Sequence, residues 1–120
     1  MAQISLGVAD AQRAGEFWMR ALGWVRRPPR WDGDDWFVVE PPPGGRGTPI
    51  ALDVSESPAP EFPRIHLDLT ADGDLAAEVA RLVGLGAQRV DWPFYPPPTP
   101  GEKPFVVLAD TEGNRFCVEG

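Results

Sequence analysis

The chain has 120 residues and a mass of 13.1 kDa, the size of one ordinary domain or of two half-size modules sharing a core. With 42% apolar and 24% charged residues its composition is globular, and at this length it buries roughly two-thirds of its unfolded surface without a disulfide or zinc staple. A net charge of −7 and a pI of about 4.5 argue against a nucleic-acid partner, which needs clustered Lys and Arg, and favour neutral or cationic small molecules.

The single Cys117 excludes an intrachain disulfide and any Cys-rich metal site. The first residues show no basic segment followed by an apolar one, and no apolar run approaches the roughly 18 residues of a membrane span. The expectation is a cytoplasmic protein with no membrane partner.

In chain order, Ile4, Leu6 and Val8 alternate with polar or small residues, the period of a half-buried strand. Asp10 then offers a helix cap. Ala14, Phe17, Trp18, Ala21 and Leu22 recur at helical spacing until Gly23 supplies the stop. A weak strand at Trp24-Val25 and apolar runs at Trp36 to Glu40 and Ile50 to Val54 follow. The Pro-rich stretch 55–63 reads as a linker. Beyond it the pattern repeats. Ile65, Leu67 and Leu69 alternate, and Asp72 or Asp74 can cap a helix striped by Leu75, Val79, Leu82 and Val83 and ended by Gly86. A weak strand at Arg89-Val90 and runs at Phe105 to Leu108 and Phe116 to Glu119 complete it. Gln3 and His66, like Gly23 and Gly86, are 63 residues apart. Each half predicts βαβββ, an α+β fold of one domain with modules at 1–56 and 63–120 and a linker at 57–62.

These motifs in this order resemble the vicinal oxygen chelate superfamily of glyoxalases, bleomycin-resistance proteins and extradiol dioxygenases, in its short two-module, glyoxalase-like branch. The likeness rests on Val8-Ala9-Asp10, Phe17-Trp18 and Ala21-Leu22-Gly23 in the first half. In the second it rests on His66-Leu67-Asp68-Leu69, Glu78 to Leu82, Leu85-Gly86-Ala87 and Leu108 to Phe116. It implies eight strands and two main helices, with the two halves forming an open cleft or barrel. Ile4, Leu6, Ile50, Leu52, Leu67, Leu69, Phe116 and Val118 would face the core. Gln3, Ser5, Ala51, Asp53, His66, Asp68, Arg115, Cys117 and Glu119 would face the cleft.

The resemblance also implies a metal site built from a His or Gln on the first strand of each half and a carboxylate on the last. Gln3 and His66 match the former, but the latter positions hold Ala51 and Cys117. The expectation is therefore no cofactor, with a divalent metal on Gln3, His66 and a displaced Glu119 as the alternative. With one histidine no Ser-His-Asp triad follows, and no catalytic residue is assigned. The acidic run Asp110 to Asn114 reads as a hairpin turn rather than a metal loop.

Five tryptophans in 120 residues are an enrichment. Trp18 lies on the helix stripe. Trp31, Trp36 and Trp92, with Phe94 and Tyr95, fall in or beside Pro-rich loops at equivalent places in the two halves. The resemblance sets such loops at the cleft mouth, where stiffened aromatic residues would make a wall for a flat ligand. Capping of a barrel end or a dimer contact is the other reading of these rings. The acidic residues beside them, Asp32, Asp34, Asp35 and Asp91, favour a cationic ligand. The functional expectation is a homodimeric protein that binds a small aromatic molecule through His66, Asp68, Trp31, Trp36, Trp92, Phe94, Tyr95, Cys117 and Glu119, as the bleomycin-resistance branch does. A metal-dependent lyase or dioxygenase of the superfamily is one alternative, and a structural or interaction module is the other.

Overall fold

A computed structural model describes residues 1–94 and 99–120. The chain divides into two compact units, Met1–Ala59 and Pro60–Gly120. Each holds one helix and a four-stranded sheet. No described helix is long and apolar enough to cross a membrane.

In the first unit β1 (Ile4–Val8) leads into α1 (Ala11–Leu22), followed by β2 (Val25–Arg26), β3 (Phe37–Glu40) and β4 (Ile50–Val54). The sheet order is β1-β4-β3-β2, with β1 and β4 parallel and the other neighbours antiparallel. Asp10 caps α1 by accepting from the Arg13 amide at 3.0 Å, and Gly23 closes it in the left-handed conformation at φ 67°. The predicted stripe faces inward, with Leu22 at its end only half-buried. Ala14, Phe17, Trp18 and Ala21 are buried, with Gly15 beside them, and Phe17 and Trp18 meet edge to face at 5.2 Å. Gly15 is required by packing, because a Cβ there would lie 2.3 Å from the Phe37 ring on β3.

The second unit repeats the plan with β5 (Leu67–Thr70), α2 (Leu75–Gly84), β6 (Gln88–Arg89), β7 (Phe105–Ala109) and β8 (Arg115–Glu119), in sheet order β5-β8-β7-β6. The first strands begin at Ile4 and Leu67, which keeps the 63-residue offset of the sequence. Asp74, not Asp72, caps α2, accepting from Ala77 N at 2.9 Å. Val79 and Leu82 are its buried residues, whereas Val83 turns outward. The acidic run is a turn, as its sequence suggested. The buried Asp110 carboxylate accepts from the amides of Glu112 and Asn114, both at 2.9 Å.

Two expectations need correction. Ile65 is not part of β5 and is 86% exposed. The register pairs Leu67 with Phe116, so Ile65 would meet Asn114. The Asn114 amide is already given to Asp110 and its carbonyl already accepts the Asp110 amide, which leaves no ladder partner. Strict alternation also fails on the central strands. Ala51 and Cys117, assigned to an open face, are buried together with Ile50, Leu52, Phe116 and Val118. A small residue on a strand flanked on both sides is covered by its larger cross-strand neighbours, whichever way it points.

Candidate functional site

Asp68 on β5 and Cys117 on β8 are partners in the parallel ladder and therefore stand side by side on one face. His66, two residues before Asp68, shares that face. Its Nδ1 lies 2.8 Å from Asp68 Oδ1, and the Cys117 thiol donates to the same carboxylate. Asp68 is thus the hub of the group. In the Nδ1–H tautomer, His66 donates to this carboxylate and presents Nε2 as an acceptor.

Cys117 is held as a thiol. Burial pushes its pKa up, the charge and hydrogen bond of Asp68 and the charge of Glu119 add to the effect, and the result is about 11. At neutral pH it is a protonated donor and not an activated nucleophile, so the group contains no Cys-His catalytic pair. Glu119 continues the same face of β8, and Phe105 on β7 is its register partner. His66, Asp68, Phe105, Cys117 and Glu119 together line a hollow of about 190 Å³.

An aromatic cluster adjoins it. The Trp92 ring lies 5.7 Å from Phe62, 5.5 Å from Phe94 and 6.0 Å from His66, all in edge-to-face arrangement. Phe62 and Phe94 meet at 4.8 Å. Trp92 therefore reaches the hollow through His66. Two of these aromatic residues escape sequence reasoning. Phe62 lies inside the Pro-rich stretch assigned to the linker, where nothing marks it. Phe105 reads as an ordinary strand residue, and only its register opposite Glu119 reveals it. Tyr95 lies outside the described residues.

The first unit holds a different arrangement. Asp34 pins the loop between β2 and β3 by accepting from Arg30 N at 3.1 Å and Trp36 N at 3.2 Å, and its own amide donates to the Trp31 carbonyl. The Arg30 amide, ahead of the Trp36 amide and the nearby Arg30 and Arg27 charges, holds the Asp34 carboxyl below its ordinary range despite some desolvation. Trp36, Asp35, Leu52, Asp53 and Val54 line a second hollow of about 260 Å³. Trp31 is exposed, but the Arg30 guanidinium lies 4.9 Å over its ring, so this loop already supplies a cation to the face expected to take one.

The metal expectation is redistributed. Gln3 is exposed in the first unit ahead of β1, and Glu119 borders the hollow of the second. Among the described residues, the potential ligand atoms that gather within 4.8 Å of one another are those of His66, Asp68 and Cys117. One imidazole, one carboxylate and one sulfur suit zinc better than a hard ion such as Mg²⁺ or Mn²⁺, which prefers oxygen. At the equivalent positions of the first unit stand Gln3, Ser5 and Ala51, of which Ser5 and Ala51 are ladder partners.

Comparison with solved structures gives the same fold along the whole chain. A variant of the fosfomycin resistance protein FosX from Listeria monocytogenes, complexed with Mn(II) and 1S,2S-dihydroxypropylphosphonic acid, superposes with a TM-score of 0.72 at 14% identity, covering 99% of this chain and 87% of that one. A glyoxalase/bleomycin resistance protein/dioxygenase family enzyme from Burkholderia phytofirmans PsJN gives 0.70 at 14% identity, covering 98% and 95%. TnmS3, an antibiotic binding protein from Streptomyces sp. CB03234, gives 0.63 at 23% identity, covering 99% and 93%. At these identities the likeness is one of fold. No curated protein matched the sequence. The family model of the glyoxalase-like domain matches residues 3–119. With its doubled βαβββ plan and this match over nearly its full length, the chain belongs to the glyoxalase-like family of the vicinal oxygen chelate superfamily.

Proposed function

We propose that the protein binds a small, flat, preferentially cationic aromatic molecule and retains it without changing it. The observation that carries this reading is the hollow beside β8, where the Asp68 and Glu119 carboxylates stand next to Phe105 and the Trp92–His66 edge. The group offers charge and ring surface but no activated nucleophile. At about 190 Å³ the hollow is smaller than the roughly 300 Å³ at which drug-sized pockets begin, so such a ligand extends past it onto the aromatic cluster. Covering about 120 Å² of apolar ring surface contributes about 3 kcal/mol. Association costs at least about 4 kcal/mol, so micromolar affinity, about 8 kcal/mol, requires the carboxylates to fix the ligand as well.

The antibiotic binding protein among the structural neighbours gives the reading a parallel on the same fold. On this reading the protein acts in the cytoplasm as a homodimer, with no nucleic-acid or membrane partner, and needs no glyoxalase-type metal for retention. Titration of planar cationic aromatic compounds, followed by Trp fluorescence, tests it. Saturable quenching that weakens with salt and in Trp92→Ala locates binding at the second unit. Weakening in Trp36→Ala instead locates it at the hollow of the first. Absence of quenching across the panel, or recovery of an altered compound, contradicts the reading.

A further inference from the structure

We propose that His66, Asp68 and Cys117 form a zinc site contained entirely within the second unit. The residues arrive by construction of the sheet. Asp68 and Cys117 are fixed side by side by the β5–β8 ladder, and His66 follows on the same face at the strand period of two. Their ligand atoms already lie within 4.8 Å of one another.

A tetrahedral Zn²⁺ with bonds of about 2.0–2.3 Å sets its donors roughly 3.3–3.7 Å apart. Loading therefore sends the Cys117 thiol proton to solvent and moves the imidazole proton from Nδ1 to Nε2, opens the His66–Asp68 contact from 2.8 Å by about 0.5–0.9 Å and draws the widest separation in by about 1 Å. Side-chain rotation supplies both movements, with the backbone left in place. Access is available, because the Asp68 side chain is 62% exposed and that of His66 20%.

The chain also contains its own control. The first unit builds the same parallel ladder with Ser5 opposite Ala51 and Gln3 upstream, so the fold does not require a nitrogen, oxygen and sulfur donor at these places. The mixed donor set selects a borderline ion over the oxygen-seeking Mg²⁺, Mn²⁺ and Ca²⁺. Three protein donors leave the fourth tetrahedral position for water or for a donor atom of a bound molecule. The site shares its hollow with the proposed ligand but does not depend on that reading. A Zn²⁺ bound by one thiolate and one carboxylate, with Glu119 nearby, leaves a net charge of about −1, still favourable to a cation.

The test uses the untagged full chain. Co²⁺ titration is expected to give a thiolate charge-transfer band in the near ultraviolet and tetrahedral visible bands, and Zn²⁺ is expected to bleach both at one equivalent per chain. Cys117→Ala is expected to abolish the charge-transfer band. Asp68→Asn and His66→Ala are each expected to lower zinc affinity at least about 100-fold, beyond the loss typical of outer-shell partners. Circular dichroism confirms that each variant is folded, and Cys117→Ser serves if the alanine variant is not. A folded wild-type protein showing no charge-transfer band, a band that survives in Cys117→Ala, or tighter binding of Mn²⁺ than of Zn²⁺ overturns the proposal. Fluorescence quenching is read separately on zinc-free protein. A failed zinc titration then leaves the ligand reading untouched, and failed quenching leaves the zinc stoichiometry untouched.

Discussion

Gly15→Ala reverses the sign expected from helix propensity. Gly15 lies inside α1, where Ala is ordinarily better than Gly by about 0.8–1.0 kcal/mol. Its added Cβ, however, would sit 2.3, 2.4 and 2.4 Å from Cε1, Cδ1 and Cζ of Phe37, where about 3.5–4.0 Å is comfortable. The ring must retreat by more than about 1 Å. It has little room, being 3% exposed, with the Arg26 guanidinium 4.1 Å over its face and Val38 and Val39 buried beside it on β3. Overpacking of this kind costs about 1–3 kcal/mol. An approach of 2.3 Å puts this site in the upper part of that range, about 2–3 kcal/mol, so after the helix gain of about 1 kcal/mol the net expectation is a loss of about 1–2 kcal/mol, at roughly 3–6 °C in Tm for each kcal/mol in a chain of this size. Thermal and urea melts measure it against Gly84→Ala, where a Cβ meets nothing within 4 Å and stability holds or rises. Adding Phe37→Leu to Gly15→Ala recovers part of the loss. If Gly15→Ala is as stable as the parent, the close approach of α1 to β3 is refuted.

Two further outcomes follow from the electrostatics. Glu78 accepts from Arg81 at 2.7 and 3.0 Å, and this hydrogen bond, ahead of the Arg81 charge, lowers its pKa below 4.5 against some desolvation. A depressed carboxyl stabilises the fold above its unfolded pKa and loses that stabilisation as pH falls through the folded one. Because Arg81 is well exposed, Glu78→Gln costs only about 0.3–0.5 kcal/mol at pH 7, and the difference from the parent in urea melts vanishes as pH falls progressively below 4.5. Asp34→Ala releases the amides of Arg30 and Trp36. It is expected to red-shift Trp emission and raise its quenching by acrylamide.

The duplication was legible because local signals agreed with the fold. Asp10 and Gly23 mark both ends of α1, and the stripe from Ala14 to Ala21 is the face it buries. Cross-strand facts were not legible. Ile65 carries the strand alternation, yet the Asp110–Asn114 turn has already used the groups it would pair with. Cys117 and Glu119 alternate as a cleft face should, but cover from neighbouring strands buries one and leaves the other exposed. The central role of Asp68 depends on its register opposite Cys117, which no spacing within one strand encodes. Trp31 reads as part of a wall for a flat ligand because Arg30, its neighbour in sequence, gives no sign that it folds over the indole. The aromatic cluster was found only in part, since the place of Phe62 beside Trp92 arises from a stretch that resembles a linker.

Recovery of ligand after binding decides between retention and turnover. The zinc-free protein is titrated with planar cationic aromatic compounds while Trp fluorescence is followed, and each bound compound is then released by denaturation and weighed by mass spectrometry. Saturable quenching in the micromolar range is expected for at least one compound, weakening as salt rises, with the compound returned at its original mass. A panel that leaves the fluorescence unchanged, or a compound returned at a different mass, contradicts the proposed retention.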